Sequence, residues 1–393
     1  MKILFLSRWF PDPPDNGSKI RIVNLLRGLA LHHDVTLLSF SDQPEMSRES
    51  SKVKAFCKSI HVIPWKEFNP YRWRALAGFF SLKPRSIVDT FSPVMAESIV
   101  RTLDEENFDV VIASQLSMAA YYPYFRNTPA LFDELELGLA YEGSASSPGW
   151  VRRILRRFTW FKFHFYLSRL LKHIRSITVV SEMERELVSR NFTEIKEVTV
   201  VPNGIDVDEC TNVNAEPQPH TIIFTGSFRY RVNYEAMVWF LSEVFPLALE
   251  KIPTMELIIT GDHQNLPLPS QRNVRLAGYV DNVRSWIASS TIAIAPLLSG
   301  GGTRLKVLEA MALGTPVVAT SKGAEGLNAV NKEHLLIADT PGEFAQCILN
   351  LMSDWSLAKQ ISANARQLVK MQYDWGAVMP QFLRLVEKTA VHG

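Results

Sequence analysis

Cysteine is scarce in this 393-residue chain: Cys57, Cys210 and Cys347 stand far apart and lack the close spacing of metal ligands. That argues against a disulfide framework and a zinc site, and fits a reducing cytosol. An excess of charge is missing too, since 42 basic side chains against 40 acidic ones leave a formal net charge of +2. Nothing in so even a balance drives the whole chain toward nucleic acid, and no segment reads as a base-reading helix, so no nucleic-acid partner is expected. No apolar run approaches the roughly 18 residues that cross a bilayer. The opening run Ile3-Leu4-Phe5-Leu6 stops at Ser7-Arg8, too short for the core of a secretion signal, so a cytoplasmic location is expected. The nine histidines are scattered, and no internal repeat is visible.

What is present is a regular alternation. KILFLSRWF reads as an apolar strand, then a Pro/Asp/Asn/Gly loop, then an amphipathic helix carrying Ile20, Val23, Leu26 and Leu29. Further strands follow at 34–40, 59–65, 108–114, 129–133 and 176–181. A second series runs through 220–226, 255–261, 274–280, 291–296 and 316–320, with helices between. Short apolar strands alternating with helices imply doubly wound parallel sheets, and the length favours two domains. The expected division is 1–205 with a returning helix at 375–393, and 206–374, hinged near Asn203-Gly204 and the polar stretch to His220. Pro380 is expected to kink or break the last helix.

The most informative stretch is LLSGGGTRLKVLEAMALGTPVVAT, residues 297–320. It lacks the Gly-Lys-Ser/Thr ending of an NTPase phosphate loop. Ligands of open parallel sheets bind beyond the carboxyl ends of strands. There Gly300, Gly301 and Gly302 let amides approach an anion, and a helix starting near Thr303 adds its positive end. Arg304 and Lys306 add full charges, although two residues apart on one helix they point about 200° from each other. Lys306 and Glu309 share a face, so they form either a surface ion pair or parts of one ligand site. A carboxylate accepts two hydroxyl donors, which suits Glu309 to a ribose diol. A diphosphate and a ribose together describe a nucleotide.

These residues resemble the GT-B glycosyltransferases of family 4, in a subgroup carrying GGGTRLK. The likeness runs through the opening strand and PPDNGSKIRIVNLLRGLA, then VVSEMERELV, VVPNGID, TGSF, IITGDH, LAGYVDNV and LKVLEAMALGTPVVAT. It implies two Rossmann-like doubly wound parallel-sheet domains facing a central cleft, with the sugar donor held mainly by the C-terminal one. By this resemblance Glu309 binds the donor ribose, and Gly302 to Lys306 embrace the diphosphate, with Leu305 acting through its backbone. Gly226 and Ser227 border the same site, Gly278, Tyr279 and Val280 fall at the nucleobase pocket, and Asn16, Gly17 and Ser18 close over the donor from the N-terminal side. It further implies a retaining, metal-independent transfer from a nucleotide-diphosphate sugar, a co-substrate rather than a cofactor, to a glycan or lipid-linked acceptor in envelope or exopolysaccharide synthesis. Asp133, Arg229, Arg304, Lys306 and Glu309 are the expected catalytic set.

The sequence departs from the family pattern at three places. The first acid of its Glu-x7-Glu signature falls on Gly301, its arginine and lysine after the first C-terminal-domain strand fall on Ser227 and Asn233, and its histidine after a central N-terminal strand is replaced within Phe132-Asp133-Glu134. Arg229, Arg231, Arg304 and Lys306 offer compensation. Nucleotide-sugar epimerase and inactive partner subunit are the alternatives these departures keep open. Asp133 or Glu134 either orients a hydroxyl or caps a helix. Asp206-Val207-Asp208 resembles a metal motif of a different glycosyltransferase fold, but three-residue acid patterns arise by chance and no metal is expected there.

Residues 150–175, WVRRILRRFTWFKFHFYLSRLLKHIR, mix basic and aromatic side chains with no acid. Either this helix docks peripherally on an anionic inner membrane face, or it packs inward with its Arg and Lys stems reaching out. Tyr71-Arg72-Trp73-Arg74 with Phe79-Phe80 forms a second such patch.

Overall fold

The computed structural model describes residues 1–49, 51–138, 150–195, 197–213 and 215–391, with side chains at 46, 48, 49, 51 and 150–153 left aside. The Arg152 and Arg153 side chains counted in the basic stretch therefore lie outside the described set. The chain divides into two compact units, Met1–Pro202 with Met379–Gly393, and Asn203–Val378.

In the first unit seven strands form one sheet in the order β3-β2-β1-β4-β5-β6-β7: β1 (Lys2–Ser7), β2 (Asp34–Ser41), β3 (Ser59–Pro64), β4 (Val110–Ser114), β5 (Ala130–Asp133), β6 (Ser176–Val179) and β7 (Val198–Val200). Each neighbouring pair is parallel. Ile3, Leu4, Phe5 and Leu6 are fully buried, as an unbroken apolar strand covered by helices on both faces requires. The order reverses between β1 and β4, so the loops after these two strands flank the switch point.

The second unit repeats this logic with six parallel strands ordered β10-β9-β8-β11-β12-β13: β8 (Gln218–Thr225), β9 (Glu256–Thr260), β10 (Val274–Gly278), β11 (Ser290–Ala295), β12 (Val317–Ala319) and β13 (Leu336–Ile337). Its switch point lies between β8 and β11. The two loops that follow these strands carry Gly226-Ser227 and Gly300–Thr303.

The described division falls a few residues from the expected one, and hydrogen bonds give the reason. The Ile205 amide donates to the Tyr373 carbonyl at 2.7 Å and the Trp375 amide to the Ile205 carbonyl at 3.2 Å, tying 203–205 to the second unit. The stretch read as a polar hinge carries a short helix: Asp206 accepts from the Glu209 amide and caps Val207–Thr211. Nor does Pro380 break the last helix, which runs from Trp375 to Val391. Proline there removes one hydrogen bond, the one to the Gly376 carbonyl, in a helix whose Val378, Phe382, Leu385 and Val386 are buried.

One buried ion pair organises the first unit. Arg21, on the helix Gly17–Ala30, donates from Nε to Asp133 Oδ2 at 3.0 Å and from Nη2 to Asp133 Oδ1 at 2.6 Å. Its Nη1 donates to the Val201 carbonyl at 2.9 Å, and Thr178 Oγ1 donates to Asp133 Oδ1 at 2.7 Å. Both charged side chains are completely buried. Asp133 is thus an internal anchor that joins a helix to β5 and β6, which corrects its expected place in the catalytic set. Removing one member of such a pair leaves an uncompensated buried charge, so Asp133→Ala is expected to cost about 3 to 5 kcal/mol. Urea unfolding measures this; the paired replacement Arg21→Met with Asp133→Leu is expected to recover most of the loss, and an Asp133→Ala midpoint equal to wild type contradicts the assignment.

Candidate functional site

The second unit places glycine at the carboxyl ends of four adjacent strands. Gly226 follows β8 with φ +150°, Gly261 follows β9 with φ +105°, Gly278 ends β10 with φ +70°, and Gly300 with φ +92° and Gly302 with φ +81° follow β11. A Cβ on Gly261 would lie 2.7 Å from the Gly226 carbonyl carbon. A Cβ is thus excluded at Gly261, and the positive φ values favour glycine at the other four positions.

Arg304 determines which backbone groups face outward. It is not helical but caps the helix Leu305–Leu313, at φ −81° and ψ 67°, so the opposition of Arg304 and Lys306 expected from helix geometry does not arise. Its buried guanidinium donates from Nη2 to the Gly300 carbonyl at 2.8 Å, from Nη1 to the Gly301 carbonyl at 2.9 Å and from Nε to the Lys322 carbonyl at 3.2 Å. In a trans peptide the N–H points opposite to the C=O of the same unit. The amides of Gly301 and Gly302 are therefore turned away from Arg304, and among the described residues neither donates a hydrogen bond. Successive amides across φ values of alternating sign form an anion-binding nest. Arg304 builds this nest from behind, where the sequence reading has it reach the anion directly.

Beside the nest, Thr303 Oγ1 accepts from Asn203 Nδ2 at 3.2 Å, and the Leu305 amide, expected at the diphosphate, donates to the Thr303 carbonyl at 2.9 Å. Lys306 and Glu309 do not pair with each other. Lys306 Nζ donates to Asn233 Oδ1 at 2.8 Å and lies 4.1 Å from the centre of the Phe224 ring. Burial, aided by the nearby Arg304 guanidinium, pushes its ammonium down to about 7. Glu309 Oε1 accepts from Arg284 Nε at 3.2 Å, and Arg284 Nη1 reaches Glu209 Oε2 at 2.5 Å. Burial raises the Glu309 carboxyl above its ordinary value, with Arg284 opposing. Its second oxygen accepts no hydrogen bond among the described residues.

Arg284 and Asn203 were not singled out as site residues from sequence. Arg284 carries no motif signal, since its role appears only where the short helix Val283–Ala288 meets Leu305–Leu313. Arg229 is three-quarters exposed and pairs with Asp262 at 3.0 Å, while Ser227 Oγ donates to the Asp262 carbonyl at 3.3 Å. Tyr279 is 81% exposed and Val280 half-buried, next to the Gly278 carbonyl that accepts from Gly261.

Asn16, Gly17 and Ser18 belong to the first unit. Asn16 caps the helix Gly17–Ala30 by accepting from the Lys19 amide at 3.1 Å, and Ser18 Oγ accepts from Gln115 Nε2 at 3.0 Å. Gln115, at φ +67° after β4, also donates to Glu134 Oε2 at 3.0 Å. The first unit's switch point thus gathers Ser18, Gln115 and Glu134, and no motif in the sequence marks Gln115.

Two family profiles, several curated proteins and several solved structures resemble this chain. The profile described as Glycosyltransferase Family 4 matches residues 15–209, and the one described as Glycosyl transferases group 1 matches residues 219–354. A 44.6 kDa protein in the cps region of Klebsiella pneumoniae is 30% identical over 165 residues, 39% of this chain and 42% of that one. Phosphatidyl-myo-inositol mannosyltransferase of Mycobacterium leprae is 29% identical over 209 residues, 49% of this chain and 54% of its own. The chain spans about half the length of these curated relatives. Among solved structures, sucrose-phosphate synthase from Thermosynechococcus elongatus superposes over 100% of both chains with TM-score 0.72 at 17% identity. Anabaena HepE in complex with UDP and glucose superposes over 99% of this chain and 100% of its own, with TM-score 0.66 at 16% identity. These two likenesses establish the GT-B architecture of two Rossmann-like parallel-sheet domains. With the two profiles covering most of its length, the chain belongs to the family 4, group 1 glycosyltransferases.

Proposed function

We propose that the chain transfers a sugar from a nucleotide-diphosphate sugar to a glycan or lipid-linked acceptor, with retention and without a metal. The observation that carries this reading is the set of groups around Gly300–Thr303: two unpartnered amides, a helix start, the Lys306 ammonium and the open oxygen of Glu309. These match one diphosphate and one ribose. Gly278 to Val280 are assigned to the donor's base.

Breaking the sugar–phosphate bond sends its electron pair to the departing diphosphate oxygen. Donors that tighten as charge collects on that oxygen lower the barrier. The amides of Gly301 and Gly302 and the ammonium of Lys306 do this, so neutralisation of the leaving group falls to protein groups. The acceptor hydroxyl oxygen then bonds to the anomeric carbon on the face the phosphate leaves, and its proton passes to the departing phosphate oxygen. No side-chain base is required, consistent with Asp133 being buried against Arg21 and Glu309 being turned toward Arg284.

The first unit carries a surface suited to a lipid-linked acceptor at the inner membrane face. The helix Trp150–Leu171 divides along its length: Ile154, Leu155, Phe158 and Phe161 are exposed, whereas Tyr166, Leu167, Leu170 and Leu171 are buried. The second half therefore packs inward, and the exposed first half supports the docking reading. The exposed half adjoins the second aromatic patch, because Lys162 Nζ donates to the carbonyls of Gly78 at 2.9 Å and Phe79 at 3.1 Å. There Tyr71, Trp73 and Phe80 are 86%, 76% and 97% exposed. Arg156, Arg157 and Lys83 are exposed among these aromatics, so the surface combines apolar insertion with attraction to anionic lipid.

Transfer and donor-hydrolysis assays over a nucleotide-sugar panel test the reaction. Glu309→Ala is expected to lower kcat/KM roughly 10- to 100-fold, the range for losing a hydrogen bond to a charged group. Unchanged activity overturns the ribose assignment. For the surface, sedimentation with phosphatidylglycerol vesicles is expected to capture the protein and phosphatidylcholine vesicles to leave it free. Replacing Trp73 and Phe80 together by serine is expected to weaken capture at least about tenfold, since each buried aromatic contributes about 1.5 to 3 kcal/mol. Equal binding to both vesicle types contradicts the docking.

A further inference from the structure

Arg8, directly after β1, is a cation that the first unit surrounds with aromatic rings and supplies with no acceptor. Its guanidinium carbon lies 4.7 Å from the centre of the Trp9 ring and 4.7 Å from that of Trp65, the residue that follows β3. Among the described residues nothing accepts a hydrogen bond from it, and no carboxylate lies within ion-pair distance. Its Nε is enclosed without a partner, whereas both Nη groups reach the surface. Burial pushes the guanidinium below its ordinary value, with the Glu67 charge opposing.

A second arginine of the same unit shows what a purely structural cation on a ring looks like. Arg85 lies 3.9 Å from the centre of the Phe79 ring, and it donates from Nε to the Ala75 carbonyl at 2.9 Å and from Nη2 to the Pro70 carbonyl at 2.7 Å. Ring faces attract a guanidinium, but its N–H donors lie in its own plane and still need acceptors. Enclosing a charge with those donors unmet is costly, and such groups collect where a ligand meets them. The rings around Arg8 are themselves fixed. The Trp9 amide donates to Ser7 Oγ at 3.2 Å, the Trp65 amide donates to the Ser41 carbonyl at 2.7 Å, and Phe40 packs edge-on against Trp65 with ring centres 5.2 Å apart. Arg8 is therefore a preformed fork, held by its faces and open at its Nη edge, which matches the paired oxygens of an oxyanion.

The position of the fork narrows the source of that oxyanion. It stands beyond the carboxyl ends of β1 and β3, where open parallel sheets bind ligands. From Trp65 the chain runs to the exposed aromatic surface at Tyr71 and Trp73, and Arg72 fastens this run by donating from Nη1 to the Glu67 carbonyl at 2.7 Å and to Asp89 Oδ2 at 3.1 Å. Six residues separate Trp65 from Tyr71, a span of at most about 22 Å. The anion site and the surface suited to lipid are thus close neighbours. We propose that Arg8, clamped between Trp9 and Trp65, binds an oxyanion on the acceptor, and that the phosphate of a lipid-linked acceptor supplies it. The proposal rests on the transfer reading above and deepens it, because it requires an acceptor that carries phosphate and gives it a site in the first unit.

Calorimetric titration of the full chain with farnesyl phosphate, farnesol, inorganic phosphate and glucuronate tests this. Wild type is expected to bind farnesyl phosphate at least about tenfold more tightly than any of the other three, and Arg8→Met to weaken that binding about 10- to 100-fold, the range for lost hydrogen bonds to a charged group. Equal affinity of wild type and Arg8→Met for farnesyl phosphate overturns the assignment to Arg8. Farnesol bound as tightly as farnesyl phosphate overturns the oxyanion, and inorganic phosphate or glucuronate bound as tightly overturns the lipid source. Should Arg8→Met fail to fold, Arg8→Lys keeps the charge without the fork and is expected to bind about tenfold more weakly than wild type, with undiminished affinity contradicting the proposal. Transfer and hydrolysis assays on the same preparation keep the two readings apart. Failure to process any nucleotide sugar counts against the transfer reading, whereas processing without Arg8-dependent binding of farnesyl phosphate counts against this one.

Discussion

The candidate site depends on one guanidinium. Arg304 spreads its donors over the carbonyls of Gly300, Gly301 and Lys322, and so holds three peptide units in an orientation that an unsupported glycine turn has no reason to keep. Glycine loses more conformational freedom on ordering than any other residue, so a triple-glycine loop is expensive to fix and needs such a brace. With the carbonyls drawn inward, the amides of Gly301 and Gly302 turn the other way. On the proposed reading, the most basic side chain of the motif acts on a ligand through backbone dipoles, and Lys306 supplies the charge.

This division of labour clarifies the departures from the family pattern. Gly301 stands where an acid is expected, yet a side chain there would sit on the loop that Arg304 braces. Ser227 and Asn233 stand where two basic residues are expected, but both serve the local frame: Ser227 Oγ donates to the Asp262 carbonyl and Asn233 receives the Lys306 ammonium.

Most strands were legible in the sequence because fully buried parallel strands read as unbroken apolar runs, and eleven of them lie close to their expected positions. β7 and β13, three and two residues long and each at an edge of its sheet, were not among the expected strands. The glycine loop and Glu309 were equally visible, since a motif keeps its members close together. What the sequence hid was every pairing between distant positions. Arg21 with Asp133, Lys306 with Asn233 and Arg284 with Glu309 are 112, 73 and 25 residues apart, and no local periodicity joins them. Asp133 was expected in the catalytic set, and Lys306 and Glu309 either as an ion pair or in one ligand site, whereas the hydrogen-bond partners of all three lie elsewhere in the chain.

The central claim is that the amides of Gly301 and Gly302 hold a diphosphate. Hydrogen exchange followed by mass spectrometry on a peptide covering residues 298–308, with and without saturating nucleoside diphosphate, reads those amides themselves. The account predicts slowed exchange of about two amides in that peptide on binding, because each gains an acceptor. Binding elsewhere in the protein with unchanged exchange at these glycines would contradict it.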